Sequence, residues 1–508
     1  MSSSGHDFAS GNEWQGLLSA NTPIDSLPNG RNSTTSRPRT PNAANSSPRS
    51  GIVVFSGGSA ANHLVEILNQ LREANNTTLS YVVPISDNGG SSSELIRVFG
   101  GPGIGDIRSR LVRLIPESSA ESIAIKTFFN HRLPKTYQPA RTEWHDIVEA
   151  NNPLWDGISS PKRELIRSFL NAINLEMVKR LRPTSRFDFS GAAIGNLFLT
   201  GARLFTGSFE AAIYLLSSIC GVPDSIAVLP VLNTNFAHHI AASLADGTII
   251  TGQNNISHPS VPTAAVPTQQ QQGQPVSPAW LLKTETEEQD KVEDANLPGT
   301  LPVLRKPAIA FSKADEEELP SRIERLWYIN PYGQEISLPA NPRVLDAINS
   351  SETIIYSIGS LFTSIIPSLI LRGVGEAIAS PSVRSKILIL NGTIDRETGP
   401  SADPYTAMDF IATIANACAE SRGLARPPPD EWVRYVTAVV YLEGPGCPRV
   451  DKKALGMIGI ESMRLYGPRE EGGRGGRYDL KALEQALEAI IGRKDPRSDR
   501  TRRNTLVG

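Results

Sequence analysis

The sequence predicts an α/β protein built on a Rossmann-like, doubly wound and mostly parallel sheet with helices on both faces. Two observations favour this class. Short continuous apolar runs, such as residues 51–55 (GIVVF), are typical of parallel strands that are buried on both faces. These runs alternate with segments whose apolar residues recur at helical spacing, which implies parallel strands joined by right-handed crossovers. In such a sheet, ligands bind at the carboxyl ends of the strands.

The strands are predicted from further apolar runs along the chain. After residues 51–55 they are expected near residues 79–85, 325–329, 353–356, 386–390 and 433–442. Residues 237–252 predict an inserted hairpin, because Asp246-Gly247 is a dipeptide that favours a tight turn between antiparallel strands.

Helices are predicted where apolar residues recur every three or four positions. The first such pattern starts at Asn62, and the others cover residues 107–115, 163–181, 194–205, 209–220, 342–350, 406–421 and 479–491. Residues 353–371 carry no charge, but they contain six Ser or Thr residues, a glycine and a proline. We therefore predict a buried strand, a turn and a short helix there, and no membrane span.

Composition divides the chain into one interrupted α/β domain and three polar segments. Residues 1–50 are rich in Ser, Asn, Pro and Thr, so we predict a disordered tail. Residues 258–320 contain four consecutive glutamines, many prolines and an acidic run, which indicates a low-complexity insertion. The α/β domain is predicted to comprise residues 51–257 and 321–465. Residues 466–508 would form a flexible tip, a C-terminal helix and a polar tail.

Charge and cysteine usage exclude several classes of function. The chain carries 50 Lys and Arg against 52 Asp and Glu, so we expect no nucleic-acid partner. Its three cysteines lie far apart without a C-x-x-C pair, which excludes a disulfide scaffold and favours a reducing, cytoplasmic location. No secretory signal is recognised at the start, and we expect no membrane partner.

The first Gly-rich loop follows residues 51–55 and precedes a helix. In Gly57-Gly58-Ser59, backbone N–H groups could approach an anion at the helix N-terminus, although simple packing explains such glycines equally well. The loop is neither a P-loop nor a G-x-G-x-x-G fingerprint. Asp87 lies 30 residues after Gly57, whereas the ribose-binding acid of a dinucleotide fold lies about 20 residues on. An NAD-dependent oxidoreductase is therefore disfavoured.

The second loop, Asp87-Asn88-Gly89-Gly90, leads into three serines and forms a candidate anion nest. The same turn could be purely structural. Asp87 could alternatively hold a hydroxyl group or a divalent metal.

A third Gly-rich loop ends in Gly-Asp-Ile-Arg, which contains Asp106 and Arg108. Asp106 is predicted to cap the N-terminus of the following helix. Arg108 lies in the first turn of that helix, where its charge opposes the helix dipole, so we expect it to bind a phosphate or Asp87.

Polar residues of the remaining loops complete the candidate set. Gly359 and Ser360 lie in another strand–Gly–helix turn, and Asn391 follows the strand at residues 386–390. Asn196 lies in an apolar run, where a buried amide must be hydrogen-bonded, so it either ties loops together or contacts a ligand.

Eight motifs in this order resemble those of the 2-phospho-L-lactate transferase (CofD) superfamily. They are SGGS, SDNGGSS, GDIR, IGNLFL, TGSFEAAI, ADGTIITGQNNI, GSLFTSIIPSL and the strand that ends in Asn391, and they span about residues 51–443. Within the superfamily, the chain is more similar to the YvcK-like gluconeogenesis factors. Its polar tail and insertion resemble those of eukaryotic, fungal-like proteins.

The resemblance implies a Rossmann-like core, a nucleotide-diphosphate or nucleotide-sugar ligand and, for a transferase, magnesium. Asp87 and Arg108 would have the catalytic roles, with Asp87 also as metal ligand. The residues near the ligand would be Gly57, Gly58, Ser59, Asn88, Gly89, Gly90, Asp106, Asn196, Gly359, Ser360, Thr363 and Asn391. Asn88 stands where the family has a second acid, which weakens a metal site.

Two functions stay open on this resemblance. The chain could transfer a phosphate-linked group from a nucleotide diphosphate, or it could be a non-catalytic nucleotide-sugar sensor that regulates carbon metabolism or the cell wall, as gluconeogenesis factors do. The sequence also leaves open whether the protein forms a homodimer.

Overall fold

The computed structural model describes residues 51–57, 60–86, 89–181, 186–257, 301, 304, 318–468 and 475–492. The predicted tail at residues 1–50 and most of the predicted insertion lie outside the described residues. Four predicted site residues also lie outside them: Gly58, Ser59, Asp87 and Asn88.

The strands within the described residues are β1 (Gly51–Phe55), β2 (Thr78–Val83), β3 (Ile226–Pro230), β4 (His239–Leu244), β5 (Ile249–Thr251), β6 (Ile323–Ile329), β7 (Glu335–Ile336), β8 (Ser351–Tyr356), β9 (Ser385–Ile389), β10 (Ala438–Leu442) and β11 (Glu461–Leu465). Seven of them form the main sheet in the order β11-β10-β9-β8-β1-β2-β3, and every neighbouring pair is parallel. The predicted fold class is confirmed.

The helices are α1 (Val65–Ala74), α2 (Gly90–Phe99), α3 (Gly105–Arg113), α4 (Ala120–Asn130), α5 (Tyr137–Val148), α6 (Ser160–Arg180), α7 (Ile194–Thr206), α8 (Phe209–Cys220), α9 (Gln253–Ser257), α10 (Pro342–Asn349), α11 (Ile366–Leu369), α12 (Val374–Ala379), α13 (Ala407–Glu420), α14 (Lys452–Met457) and α15 (Leu480–Ile491). They flank the main sheet, and a short 3-10 turn at Ala60–Leu64 precedes α1.

Strand β1 lies in the interior of the main sheet, between β8 and β2, which explains its continuous apolar sequence. All five of its residues are buried. It pairs with β2 on one side, where Phe55 lies opposite Val82, and with β8 on the other, where Phe55 lies opposite Tyr356. The Phe55 and Tyr356 rings stack with centroids 5.7 Å apart.

The predicted hairpin is part of a second sheet. Strands β5, β4, β6 and β7 pair antiparallel in that order, with Ala241 of β4 opposite Trp327 of β6. The strand predicted near residues 325–329 is confirmed as β6, but it pairs antiparallel in this second sheet and not within the parallel main sheet. A two-stranded hairpin is only marginally stable in water, and β6 adds buried Leu326 and Tyr328 on alternate positions.

Two further predictions concern the second half of the chain. The strand predicted at residues 433–442 begins only at Ala438, because three consecutive prolines lead into a 3-10 turn over Pro429–Arg434. The uncharged residues 353–371 form most of β8, a turn and short helical segments in the core, as predicted. Among the described helices, none is long and apolar enough to cross a membrane.

The winding of the chain reverses between β1 and β8. From β1 the chain passes outward to β2 and β3, and from β8 it passes outward to β9, β10 and β11 on the other side. Loops that leave two strands in opposite directions open a crevice at their carboxyl ends. Doubly wound folds bind their ligands at this switch point.

Candidate functional site

The loops after β1 and β8 leave the sheet side by side at the switch point. Ser357 N donates to Phe55 O at 3.0 Å, so the first residue after β8 is tied to the end of β1. Gly57 packs directly on the helical segment that follows β8. A Cβ atom on Gly57 would lie 2.6 Å from Ser364 Oγ and 3.1 Å from its Cα atom. The close approach of these two loops therefore requires a glycine at position 57.

Two buried hydroxyl groups at this edge have no hydrogen-bond partner within the part of the chain that the structure describes. They belong to Ser86, after β2, and Ser357, after β8, and each side chain is almost completely buried. Leaving such a group unpaired costs about 1–3 kcal/mol, and native proteins satisfy most of them with water, ions or ligands. Both hydroxyls are thus available to a group bound at the carboxyl edge.

Arg108 lies in a hydrogen-bonded network that joins three of the sequence motifs. Its Nε atom donates to Asn196 Oδ1 at 3.2 Å, at the start of α7, and its Nη1 atom reaches Asn130 Oδ1 at 3.5 Å, at the end of α4. Asn196 Nδ2 in turn donates to Ser92 Oγ at 3.4 Å, in the first turn of α2. The SDNGGSS, GDIR and IGN motifs therefore meet around one guanidinium group.

The charge of Arg108 is buried without a carboxylate in ion-pair contact among the described residues. Burial and the charge of Arg132 lower the pKa of Arg108 to about 10, and the charge of Asp106 opposes this shift. The side chain is 8% exposed, and its Nη2 atom makes no hydrogen bond to that part of the protein. The predicted partner Asp87 lies outside the described residues.

Asp106 is not the helix N-cap that the sequence predicts. Helix α3 begins at Gly105, and Ile104 occupies the N-cap position. Arg108 N already donates to Ile104 O at 2.9 Å, which places Asp106 inside the first turn. Its carboxylate there complements the helix dipole and favours the charged forms of Arg108 and Arg110.

Arg110 is a second buried arginine, and the sequence analysis missed it. Its Nη2 atom donates to Ser56 Oγ at 3.3 Å, and its Nη1 atom donates to Ala61 O at 3.2 Å. Its guanidinium lies 4.7 Å from the centre of the Tyr81 ring. Helical spacing could have revealed it, because position 110 lies on the buried face of α3 with Ile107 and Leu111.

Asn391 fixes the loop after β8. Its Oδ1 atom accepts a hydrogen bond from Gly359 N, and its Nδ2 atom donates to Gly359 O, both at 2.9 Å. Gly359 has a φ of 138°, a backbone conformation that favours glycine. The predicted site residues Gly359 and Asn391 are thus brought together, with the Asn391 amide bound to the main chain.

The helical segment after β8, Leu361–Ile365, binds a carboxylate of the protein itself at its N-terminus, that of Glu397. Glu397 Oε2 accepts from Phe362 N at 2.8 Å and from Thr363 N at 3.0 Å, and Oε1 accepts from Thr363 Oγ1 at 2.6 Å. Burial raises the pKa of Glu397, and the nearby Asp395 raises it further. The groups of Thr363 that could bind an anion are therefore engaged, whereas Ser360, just before this segment, makes no capping bond through its side chain.

The C-terminal segment reaches the same edge. Gly476 N donates to Gly392 O at 3.0 Å, and the Tyr478 hydroxyl donates to Leu390 O at 2.7 Å, so the segment lies along the loop after β9. It brings the exposed Arg477 near His63. Burial lowers the pKa of His63, and the charges of Arg477, Arg113 and Arg110 lower it further, which indicates a positive potential beside the first loop.

No group of three or more His, Cys, Asp or Glu residues that could hold a metal ion occurs among the described residues. The predicted metal ligand Asp87 lies outside them, so magnesium binding stays a prediction.

These features define a doubly wound α/β protein with Gly-rich loops and two buried arginines at the carboxyl edge of its sheet. The chain belongs to the CofD family: the family model described as 2-phospho-L-lactate transferase CofD matches residues 52–450. The family resemblance of the motifs is thereby confirmed.

Relatives of known sequence support this assignment. The chain is 39% identical over 408 residues to an uncharacterized protein of Saccharomyces cerevisiae, covering 77% of this chain and 90% of that protein. It is 24% identical over 370 residues to a gluconeogenesis factor of Halalkalibacterium halodurans, covering 73% of this chain and 74% of that protein. The gluconeogenesis factor of Bacillus subtilis is 21% identical over 363 residues, covering 72% and 73% respectively.

A solved structure shares the fold. The crystal structure of a UPF0052 family protein from Bacillus halodurans superimposes with a TM-score of 0.51 at 21% sequence identity, covering 88% of this chain and 100% of that chain.

Proposed function

We propose that this protein binds a nucleotide diphosphate or a nucleotide-sugar at the carboxyl edge of the main sheet. The observation that carries the proposal is the environment of Arg108. A buried guanidinium without a carboxylate in ion-pair contact among the described residues lies close to the first turns of α2 and α7. Helix N-termini and arginine both favour phosphate groups.

The surrounding loops provide further donors for a diphosphate. Backbone N–H groups of Gly57, Gly58 and Ser59 at the first loop, and of Asn88, Gly89 and Gly90 at the second, would surround the phosphate oxygens. Ser86 and Ser357 each offer a buried hydroxyl that bonds to none of the described residues. By contrast, the N-terminus of the segment after β8 already binds Glu397, so we assign the phosphates to the first two loops.

The same pocket supports two activities. In a transferase, Arg108 and the loop amides would stabilise negative charge on the donor, and Asp87 would hold magnesium or the acceptor hydroxyl. In a sensor, the pocket would bind the nucleotide-sugar without an acceptor. The printed name of the Bacillus subtilis and Halalkalibacterium halodurans relatives, gluconeogenesis factor, favours the regulatory alternative.

A thermal-shift panel tests the proposal. Nucleosides, nucleoside diphosphates and nucleotide-sugars are compared with and without magnesium. A ligand present at about 100 times its Kd should stabilise the fold by about 2.7 kcal/mol. We expect stabilisation by diphosphates and none by the corresponding nucleosides. A panel in which no diphosphate raises the Tm would reject the proposal, and release of the nucleotide on adding an acceptor would identify a transferase.

A further inference from the structure

Arg110 contacts both ends of the loop after β1. Its two Nη atoms donate to Ser56 Oγ, where the loop begins, and to Ala61 O, in the 3-10 turn where it ends. Between these two contacts lie Gly57, Gly58 and Ser59. One side chain therefore sets the distance between the ends of the loop that we propose to bind phosphate.

The charge of Arg110 is not neutralised by direct contact. The side chain is 2% exposed, and no carboxylate forms an ion pair with it in the part of the chain that the structure describes. Its Nε atom is buried without a hydrogen-bond partner among the described residues, and so is the hydroxyl of Tyr81, whose ring lies against the guanidinium. A buried unpaired charge is strongly destabilising by itself. Its contacts with Ser56 and Ala61, on either side of a Gly-rich sequence, point to a compensating negative charge bound nearby.

We propose that Arg110 is a positioning residue that supplies a buried positive charge between Ser56 and Ala61 for the phosphates of the bound ligand. This inference rests on the proposed function and deepens it. Arg110 is too deeply buried to touch the ligand. It acts by holding Ser56 and Ala61 at a fixed separation and by attracting phosphate charge, and its burial limits the screening of this attraction by water.

Lysine at position 110 would provide the same charge but only one nitrogen, so it could not bridge Ser56 and Ala61 in the same way. Glutamine would retain hydrogen-bond donors and lose the charge. The two substitutions therefore separate the electrostatic contribution from the structural one.

The matched control is Arg203, which is also buried without a carboxylate in ion-pair contact among the described residues. It donates to Gly100 O at 2.8 Å and packs against Gly101, so it supports a different loop. Burial lowers the pKa of Arg203 to about 10, which is the same as for Arg108. Loss of Arg203 should lower stability as loss of Arg110 does, without removing charge from the first loop.

The experiment measures the Kd of inorganic pyrophosphate by calorimetry for the full-length wild type, Arg110→Gln, Arg110→Lys and Arg203→Gln. We expect Arg110→Gln to weaken binding by about tenfold or more, Arg110→Lys to weaken it by less than about tenfold because it keeps the charge and loses the bridge, and Arg203→Gln to stay within about threefold of the wild type. The salt dependence of log Kd should also become shallower in Arg110→Gln only, which a purely structural role would not produce.

An unchanged Kd in Arg110→Gln, or an equal loss in Arg203→Gln, would overturn the assignment. If Arg110→Gln does not fold, Arg110→Lys decides, because a tenfold loss with the charge retained would contradict an electrostatic role. Failure of the wild type to bind pyrophosphate and every nucleotide would instead reject the proposed function, so the two failures are distinguishable.

Discussion

The side chain of Arg108 crosses α7 at Gly195, where there is no room for a Cβ atom. A Cβ atom at position 195 would lie 2.7 Å from Arg108 Cγ, 2.8 Å from Arg108 Cδ and 2.9 Å from Phe129 O. The next residue, Asn196, accepts a hydrogen bond from Arg108 Nε. Gly195 and Asn196 therefore act as a pair: the first leaves space for the arginine and the second orients its guanidinium.

Gly195→Ala should destabilise the fold by about 1–3 kcal/mol, because the methyl group would displace Arg108 or the α4 backbone. In an open helix position the same substitution would be favourable by about 1 kcal/mol. Gly456, in α14, is the matched control, since a Cβ atom there would have no neighbour within 4 Å. Urea unfolding of both variants measures the difference. Equal stabilities of Gly195→Ala and the wild type would contradict the close contact.

Arg108 and Asn196 should be energetically coupled. A double-mutant cycle with Arg108→Gln and Asn196→Ala is expected to give a coupling free energy of about 0.5–3 kcal/mol in the absence of ligand, because each substitution removes the hydrogen bond between Arg108 Nε and Asn196 Oδ1. Chemical denaturation of the wild type, the two single variants and the double variant gives the free energies of unfolding from which the coupling is calculated. Strict additivity would mean that the two side chains do not interact in solution.

Glu397→Gln should preserve the fold, whereas Glu397→Ala should cost about 3 kcal/mol or more. A glutamine keeps an oxygen for the two N–H groups of Phe362 and Thr363, and its amide can donate to the Thr363 hydroxyl. Alanine leaves two buried N–H groups without an acceptor. The comparison is made by thermal unfolding, and two variants of equal stability would show that these hydrogen bonds contribute little.

The same residue predicts a pH dependence. Because the folded-state pKa of Glu397 is raised, the protonated form is favoured on folding. The contribution of Glu397 to the free energy of unfolding is complete below the ordinary pKa of glutamate, and it is lost as the pH rises through the raised folded-state pKa. The Tm of the wild type should therefore decrease more than that of Glu397→Gln between about pH 4.5 and pH 8, the ordinary and the raised pKa values. Parallel Tm profiles of the two proteins would argue that Glu397 is already ionised at the lower pH.

The buried His239 predicts that stability decreases as the pH falls into the acidic range. It is buried in β4, its Nδ1 atom has no hydrogen-bond partner, and burial, with the charge of His238, lowers its pKa to about 4. A depressed pKa contributes stability that is present above the unfolded-state value of 6.5 and is lost as the pH falls through the folded-state value. The loss should approach about 3 kcal/mol. His239→Leu should show less acid destabilisation than the wild type or the control His238→Leu, and an unchanged acid profile would refute this.

The parallel sheet could be predicted because its strands are buried on both faces and therefore read as continuous apolar runs. The second sheet could not, since β6 resembles a strand of the main sheet in composition and only its pairing with β4 distinguishes it. Helices α4 and α5 were also missed. Helix α4 begins at a Ser119–Ser122 capping box, without the usual Glu or Gln at its third position, and its apolar periodicity is weak.

The order of the sequence motifs predicted part of the candidate site, but it did not predict the contacts among the site residues. Arg108 and Asn196 are 88 positions apart, and no periodicity predicts that they share a hydrogen bond. Glu397 was missed because a charged residue in a polar loop usually faces solvent, whereas here two backbone N–H groups and a hydroxyl stabilise it in the interior. Tertiary contacts of this kind need the fold before they can be recognised.

The interior position of β1 has a consequence for biosynthesis. Strand β1 ends at residue 55, and its neighbour β8 begins only at residue 351. At about 5–20 residues per second, the ribosome needs roughly 15–60 s to produce the intervening chain. During this interval β1 can pair with β2, but its other edge presents unpaired backbone groups and apolar side chains, which are a template for aggregation. We therefore expect this edge of the nascent chain to need protection from aggregation until translation supplies β8.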